Sequence, residues 1–112
     1  MRGVPMWPLR AGDIVRVDFG VPARGEPGFV RPAVVLTSDD VLEFRQWAVQ
    51  VIPCSSTVRG WLSEVAVAGF GVAQAHLVTT VSVDRIVEPP MQNVGPFVLR
   101  QMRELVGALL EI

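Results

Sequence analysis

At 112 residues and a formal net charge of -1, the chain is long enough to bury one core and too short to divide into two domains, so one domain over 1–112 is expected. No general basic field would draw in nucleic acid, and any phosphate contact must come from a few locally placed groups. Half of the residues are hydrophobic and 19% are charged, which excludes a disordered chain and leaves apolar surface beyond one small core, a surplus that a homodimer would use.

Met1 to Arg10 carries Pro5 and Pro8 and no continuous apolar stretch, so it does not read as a signal peptide. After Gly12, Asp13 to Phe19 alternates, with Val15, Val17 and Phe19 on one face and Arg16 and Asp18 on the other, which predicts a half-buried strand. Gly20 to Val30 holds three glycines and two prolines and reads as an exposed loop. Pro32 to Thr37 reads as a second strand, buried on both faces, with its proline at the start. Ser38 is placed to cap a short helical turn through Asp39, Asp40 and Glu43, and the segment on to Trp47 is weakly periodic. Ala48 to Ile52, Ser63 to Val67 and His76 to Val83 read as the third, fourth and fifth strands. The longest apolar run, Val65 to Ala73, contains two glycines and is too short to span a bilayer. From Pro96 the period changes. Val98, Leu99, Met102, Leu105, Val106, Leu109 and Leu110 recur at three- and four-residue spacing, which predicts an amphipathic helix with proline in its first turn. The fold class is mainly β (α+β): five short strands curled into a compact barrel, since closure removes exposed edges, followed by a C-terminal helix.

One cysteine, Cys54, permits no internal disulfide, and one thiol with one histidine cannot complete a structural zinc site. With no apolar segment long enough for a membrane, the expected setting is a reducing cytoplasm. All ten basic residues are arginine, a side chain whose planar fork suits bidentate phosphate binding; a genome rich in arginine codons accounts for the bias equally well. No glycine-rich phosphate loop, paired metal ligands or nucleophile elbow is present. What remains is a constellation. Glu26 and Arg31 bracket the end of the glycine-rich loop, and Ser55, Ser56 and Thr57 precede Arg59 and Gly60. A carboxylate, a guanidinium and hydroxyls at strand ends suit proton transfer and phosphate binding. They are equally compatible with ordinary loop residues.

The segment Gly12 to Phe19, followed by Gly25-Glu26 and then Arg31-Pro-Ala-Val-Val-Leu36, resembles the two N-terminal strands and intervening loop of the PemK/MazF toxins. Ile52-Pro-Cys-Ser-Ser56, running on to Arg59-Gly60 and Ser63-Glu-Val65, is similar to the end of that family's third strand, its hydroxyl-bearing loop and its fourth strand. The likeness spans nearly the whole chain in order and spacing. It implies an SH3-like barrel, usually dimeric, that cleaves single-stranded RNA selectively and without a metal or other cofactor, by attack of a ribose 2′-hydroxyl on the adjacent phosphate. It further implies a cognate antitoxin on a separate chain. Position by position, Arg31 matches the family's catalytic arginine, Ser55 stands where a catalytic threonine is usual, and Glu26 matches a carboxylate assigned as general base in some members. Arg59, with Ser56 and Thr57, is expected to touch RNA; Arg59 could serve the antitoxin instead. Trp61 is open to two readings, a base-stacking ring or part of a dimer interface, while His76 reads as a core or edge histidine. Where the family often carries an acidic residue followed by an amide in the fifth strand, this chain has Thr79-Thr80, and threonine reads base edges less strongly than a carboxylate. Two rivals share the same barrel. A gyrase-poisoning toxin would depend on a chain end bearing tryptophan, whereas the last tryptophan here is Trp61. A catalytically silent binding module would fit Thr79-Thr80 and the serine at position 55.

Overall fold

The computed structural model of the chain describes residues 7–44 and 47–112. The reading of the N-terminal lead lies outside the described residues over 1–6, and so do Arg45 and Gln46 of the weakly periodic segment. In chain order the elements are β1 (Asp13–Asp18), β2 (Val30–Val35), α1 (Asp39–Leu42), β3 (Ala48–Ser55), β4 (Glu64–Val67), β5 (Gly71–Gln74), β6 (Thr79–Ser82), β7 (Gln92–Asn93) and α2 (Gly95–Leu110). Single 3₁₀ turns at Ala75–Leu77 and Val83–Arg85 flank β6.

All pairings are antiparallel, in the order β4-β5-β3-β2-β1-β7, with β6 paired to the first half of β3. β3 is the strand that makes the sheet curl. Its first half, Ala48 to Val51, pairs with β6, whereas Cys54 and Ser55 pair with β5. Pro53, which has no N–H to offer a ladder, falls between the two pairings. Beyond β6 the chain turns back onto β1 through the bridge Val17↔Ile86. The Val87 N–H donates to the Arg16 carbonyl at 3.0 Å and the Met91 N–H to the Ile14 carbonyl at 2.9 Å, and these bonds close the barrel.

The interior holds Val15, Val17, Ala33, Val35, Val49, Val51, Val83 and Ile86. These are mostly β-branched side chains that fit a tightly curved pleat, each contributing roughly 1.5–3 kcal/mol on burial. A second core lies on the outer face, where Ile14, Val34, Ile52, Cys54, Val65 and Ala73 pack under Met102 of α2. The first strand is therefore covered on both faces at Ile14, where the alternation alone implied one buried face. α2 begins with Pro96 in its first turn, buries Leu99 and Met102, and is pinned by Arg103, whose Nη2 donates to the Leu36 carbonyl at 2.8 Å. Ser38 caps the single turn of α1, accepting from the Val41 N–H at 3.4 Å.

Three expectations need correction. β2 starts at Val30, so Pro32 is its third residue; the ladder to β3 begins only at Ala33, and a proline is tolerated where a strand is paired on one side. A strand, β5, occupies the end of the apolar run Val65 to Ala73. Gly69 and Gly71 both take positive φ, with a three-residue turn between Val67 and Gly71, so what the sequence showed as one apolar run holds two strands and the turn that joins them. The stretch His76 to Val83 is not one strand. Having left the ladder at Cys54 and Ser55, the chain must step along the edge of β3 to reach Val51, and the 3₁₀ turn Ala75–Leu77 makes that step, with the Val78 N–H bonded to the Ala75 carbonyl at 3.2 Å.

Candidate functional site

Arg31 stands near the start of β2, half-buried and opposite Val17 of β1. The β2–β3 ladder ends at Ala33↔Pro53, two residues short of Arg31 on one strand and of Ser55, the last residue of β3, on the other. Arg31 and Ser55 thus stand at the same end of two neighbouring strands, where β2 and β3 part. The Arg31 Nε donates to the Gly28 carbonyl at 3.2 Å, which aims the side chain and leaves both terminal nitrogens to a ligand. Gly28 is buried against the Pro22 ring, and a Cβ there would overlap it; the loop that ends at Arg31 is thus packed on itself as well as closed by the Phe29 N–H bond to Gly20.

Ser55 is half-buried, and its Oγ accepts from the Thr57 N–H at 3.1 Å. A hydroxyl used as an acceptor keeps its own proton to donate, so the turn orients the group and leaves its chemistry intact. Gly71 of β5 runs so close that a Cβ would overlap the Ser55 carbonyl. Beside Ser55, burial pushes the Cys54 thiol up from 9.0 to about 12, against the opposing pull of the Arg31 charge. The thiol stays protonated and inert, and the opposing pull puts the Arg31 charge within electrostatic reach of the end of β3.

Glu26 belongs to a second group. It is exposed, and its Oε1 accepts from the Ala23 N–H at 2.8 Å within its own turn. Among the described residues no ion pair or hydrogen bond joins it to Arg31 or Ser55. It lines an open cleft of about 370 Å³ with Phe19, Pro27, Thr79, Thr80, Ser82 and Arg85. Thr79 and Thr80 therefore share this cleft with Glu26, and the Gln50 Nε2 donates to the Thr80 Oγ1 at 3.3 Å. Arg85 is a cleft residue that sequence reasoning missed. Its Nη1 donates to the Asp18 carbonyl at 3.4 Å, and only the bridge that returns the chain onto β1 brings it there.

Ser56, Thr57 and Arg59 are exposed on the loop that leaves β3. That loop is held by one carboxylate: Glu64 accepts from the Arg59 N–H (3.1 and 3.2 Å), the Gly60 N–H (2.8 Å) and the Trp61 N–H (3.3 Å). The Arg59 guanidinium lies 5.0 Å above the Trp61 ring. The edge of Trp61 meets His76 at 5.3 Å between centroids, and the His76 Nδ1 is 2.8 Å from the Ser63 Oγ. His76 is thus exposed in a 3₁₀ turn and is neither a strand nor a core residue.

Residues 10–112 match the family model described as PemK-like, MazF-like toxin of type II toxin-antitoxin system. The chain belongs to that family. The match runs through every candidate residue from Glu26 to Thr80. Among solved structures, MazF from Deinococcus radiodurans superposes with a TM-score of 0.82 at 26% identity, covering 97% of this chain and 98% of that one. MazF in a MazE-MazF crystal structure from the same organism gives 0.77 at 26% identity, over 94% and 97% of the two chains. An endoribonuclease in complex with its cognate antitoxin from a mycobacterial species, at 18% identity, gives 0.74 over 94% and 96%, a likeness of fold. No curated protein sequence matches the chain significantly. This member of the toxin family therefore has the curled β sheet and C-terminal helix of MazF structures. Among its described residues no helix is long and apolar enough to cross a membrane.

Proposed function

We propose that the chain is a metal-independent, sequence-selective endoribonuclease, the toxin of a type II toxin–antitoxin pair, acting on single-stranded RNA in the cytoplasm. The observation that supports this reading is that Arg31 and Ser55 stand at the same end of neighbouring strands, where β2 and β3 part, in a chain that belongs to the toxin family. The ribose 2′-oxygen attacks the adjacent phosphorus and gives up its proton to the Glu26 carboxylate. The bond to the 5′-oxygen breaks, and that oxygen takes up a proton relayed through Ser55. The products are a 2′,3′-cyclic phosphate and a 5′-hydroxyl. Arg31 spans two phosphate oxygens and stabilises the charge that builds on them. Glu26 lies with Thr79 and Thr80 in one cleft, which suits the nucleotide that supplies the attacking hydroxyl; Arg59, Ser56 and Thr57 hold the strand beyond the phosphate. The working form is a homodimer, and a separate antitoxin chain covers the cleft and blocks Arg31, a reading supported by the likeness to an endoribonuclease solved in complex with its cognate antitoxin.

The purified chain should cut unstructured RNA in the presence of EDTA and leave cyclic phosphate termini, because its acting groups are a guanidinium, a hydroxyl and a carboxylate. Cleavage lost on chelation and restored by a divalent ion would overturn the mechanism. Growth arrest with RNA left intact would point instead to a toxin that acts by binding a protein.

A further inference from the structure

We propose that Arg59, Trp61 and His76 form a stacking platform for one nucleobase of single-stranded RNA, lying beyond the phosphate held by Arg31 and Ser55. This inference rests on the endoribonuclease reading for its choice of ligand. Trp61 keeps 49% of its surface open, although it is gripped from two directions. The Arg59 guanidinium sits over its ring at 5.0 Å, and His76 meets it at 5.3 Å with an interplanar angle of 71°. His76 is itself fixed by the Ser63 Oγ at 2.8 Å. An exposed tryptophan held this firmly is pre-organised, so little side-chain freedom remains to be lost when a ligand stacks on it.

Charge decides which ligand fits. The one carboxylate that the loop engages, Glu64, is turned onto three backbone N–H groups, so its negative charge is spent inside the loop while the Arg59 cation faces outward over the ring. An apolar protein surface docking here would have to bury that guanidinium. A nucleotide brings a π face for the tryptophan and a phosphate for the arginine in one unit. The placement agrees. Trp61 lies six positions beyond Ser55, a reach of at most about 20 Å, which keeps the platform within a few nucleotides of Ser55. The loop cannot wander within that reach, because Gly60 takes a φ of 74° and its N–H is the shortest of the Glu64 contacts.

The test uses the full chain and 12-nucleotide 2′-O-methyl oligomers, which bind without offering a hydroxyl for attack, beside an abasic oligomer of the same length. Base-bearing oligomers should quench the Trp61 fluorescence, identified as the part of the signal that disappears in Trp61→Phe. Trp61→Ala should weaken their binding by about 5- to 100-fold, the range for loss of one base stack, and leave the abasic oligomer unaffected. Trp61→Phe keeps an aromatic face and should lose less. Arg59→Ala should weaken both probes and flatten the salt dependence of binding. Equal losses for base-bearing and abasic oligomers, or no loss in a folded Trp61→Ala, would overturn the platform. So would a Trp61→Ala chain that binds RNA normally and fails to self-associate or to bind an antitoxin, since the ring would then belong to a protein interface. Cleavage of unstructured RNA by the same wild-type preparation separates the two readings. Quenching without cleavage keeps the platform and removes the nuclease, and cleavage without quenching does the reverse.

Discussion

Arg31 makes one side-chain hydrogen bond, from Nε to the Gly28 carbonyl, so Arg31→Ala should leave the fold intact and abolish RNA cleavage. Arg31→Lys should recover little: lysine keeps the charge and loses the planar fork, and the phosphate contacts at stake are worth roughly 2–4 kcal/mol in the transition state. Ser55→Ala should slow single-turnover cleavage by about 10²-fold or more if the hydroxyl moves a proton, whereas Ser55→Thr should retain activity. Circular dichroism melts on each variant separate lost chemistry from lost fold, and near-wild-type rates in both alanine variants would move the active site elsewhere. A second residue-scale outcome concerns Cys54. The chain has no lysine and no tyrosine, so Cys54 is the one side chain that titrates between pH 9 and 12. Its thiol is held neutral in the folded state up to about 12 and ionises near 9.0 when unfolded. The unfolded chain therefore sheds its proton first, and stability should fall as pH rises from about 9 towards 12. Urea unfolding midpoints measured over that window should show the slope in the wild type and a flatter profile in Cys54→Ala. Arg31, Ser55 and Glu26 were each legible as candidates, through the family resemblance. That Glu26 shares a cleft with Thr79 and Thr80 while Arg31 and Ser55 stand at the parting of β2 and β3 was not, because loop closure and strand pairing decide it.

At the scale of elements, the β4–β5 hairpin is where reading by pattern broke down and where substitution should be most informative. Gly69 and Gly71 have similar φ, 84° and 80°, but a Cβ on Gly69 would meet open space and one on Gly71 would overlap the Ser55 carbonyl. Gly69→Ala should therefore cost the strain of a left-handed alanine alone, about 1–3 kcal/mol. Gly71→Ala should cost clearly more and also impair cleavage, because it displaces the strand end that carries Ser55. Chemical denaturation with a cleavage assay on both variants checks this, and equal losses of stability would refute the close approach. Period-two alternation was sound over Val15 to Asp18 of β1, although a second core also buries Ile14 on the other face, and the three- and four-residue spacing was sound for α2. It failed at His76 to Val83, where β-branched residues allow a strand and the geometry of β3's edge inserts a turn.

At the scale of the whole molecule, large apolar side chains remain uncovered: Phe29, Leu62 and Phe97, and at the end of α2 Leu109, Leu110 and Ile112. Leu109 and Leu110 continue the apolar stripe of α2 past the last residue that the barrel covers. That surplus, anticipated from a composition half hydrophobic, supports the proposed homodimer. Light scattering at micromolar concentration should give twice the 12.2 kDa chain mass, and a stable monomer would remove the claim. The family resemblance marked out the candidate guanidinium and hydroxyl, and the sequence by itself determined the class of fold, the helix and its stripe, and the flanks of the glycine-rich loop. Those follow from local periodicity, from proline and glycine chemistry and from residue type, none of which needs a distant partner. Tertiary structure alone decided that β3 serves two ladders and that Ile86 returns to β1. It likewise decided that Arg31 and Ser55 come to the same end of neighbouring strands, that Arg85 enters the Glu26 cleft and that His76 meets Trp61. Each of these joins residues far apart in the chain through a register. A one-residue slip would turn every side chain of the strand to its other face, and what selects the register is the simultaneous burial of both cores.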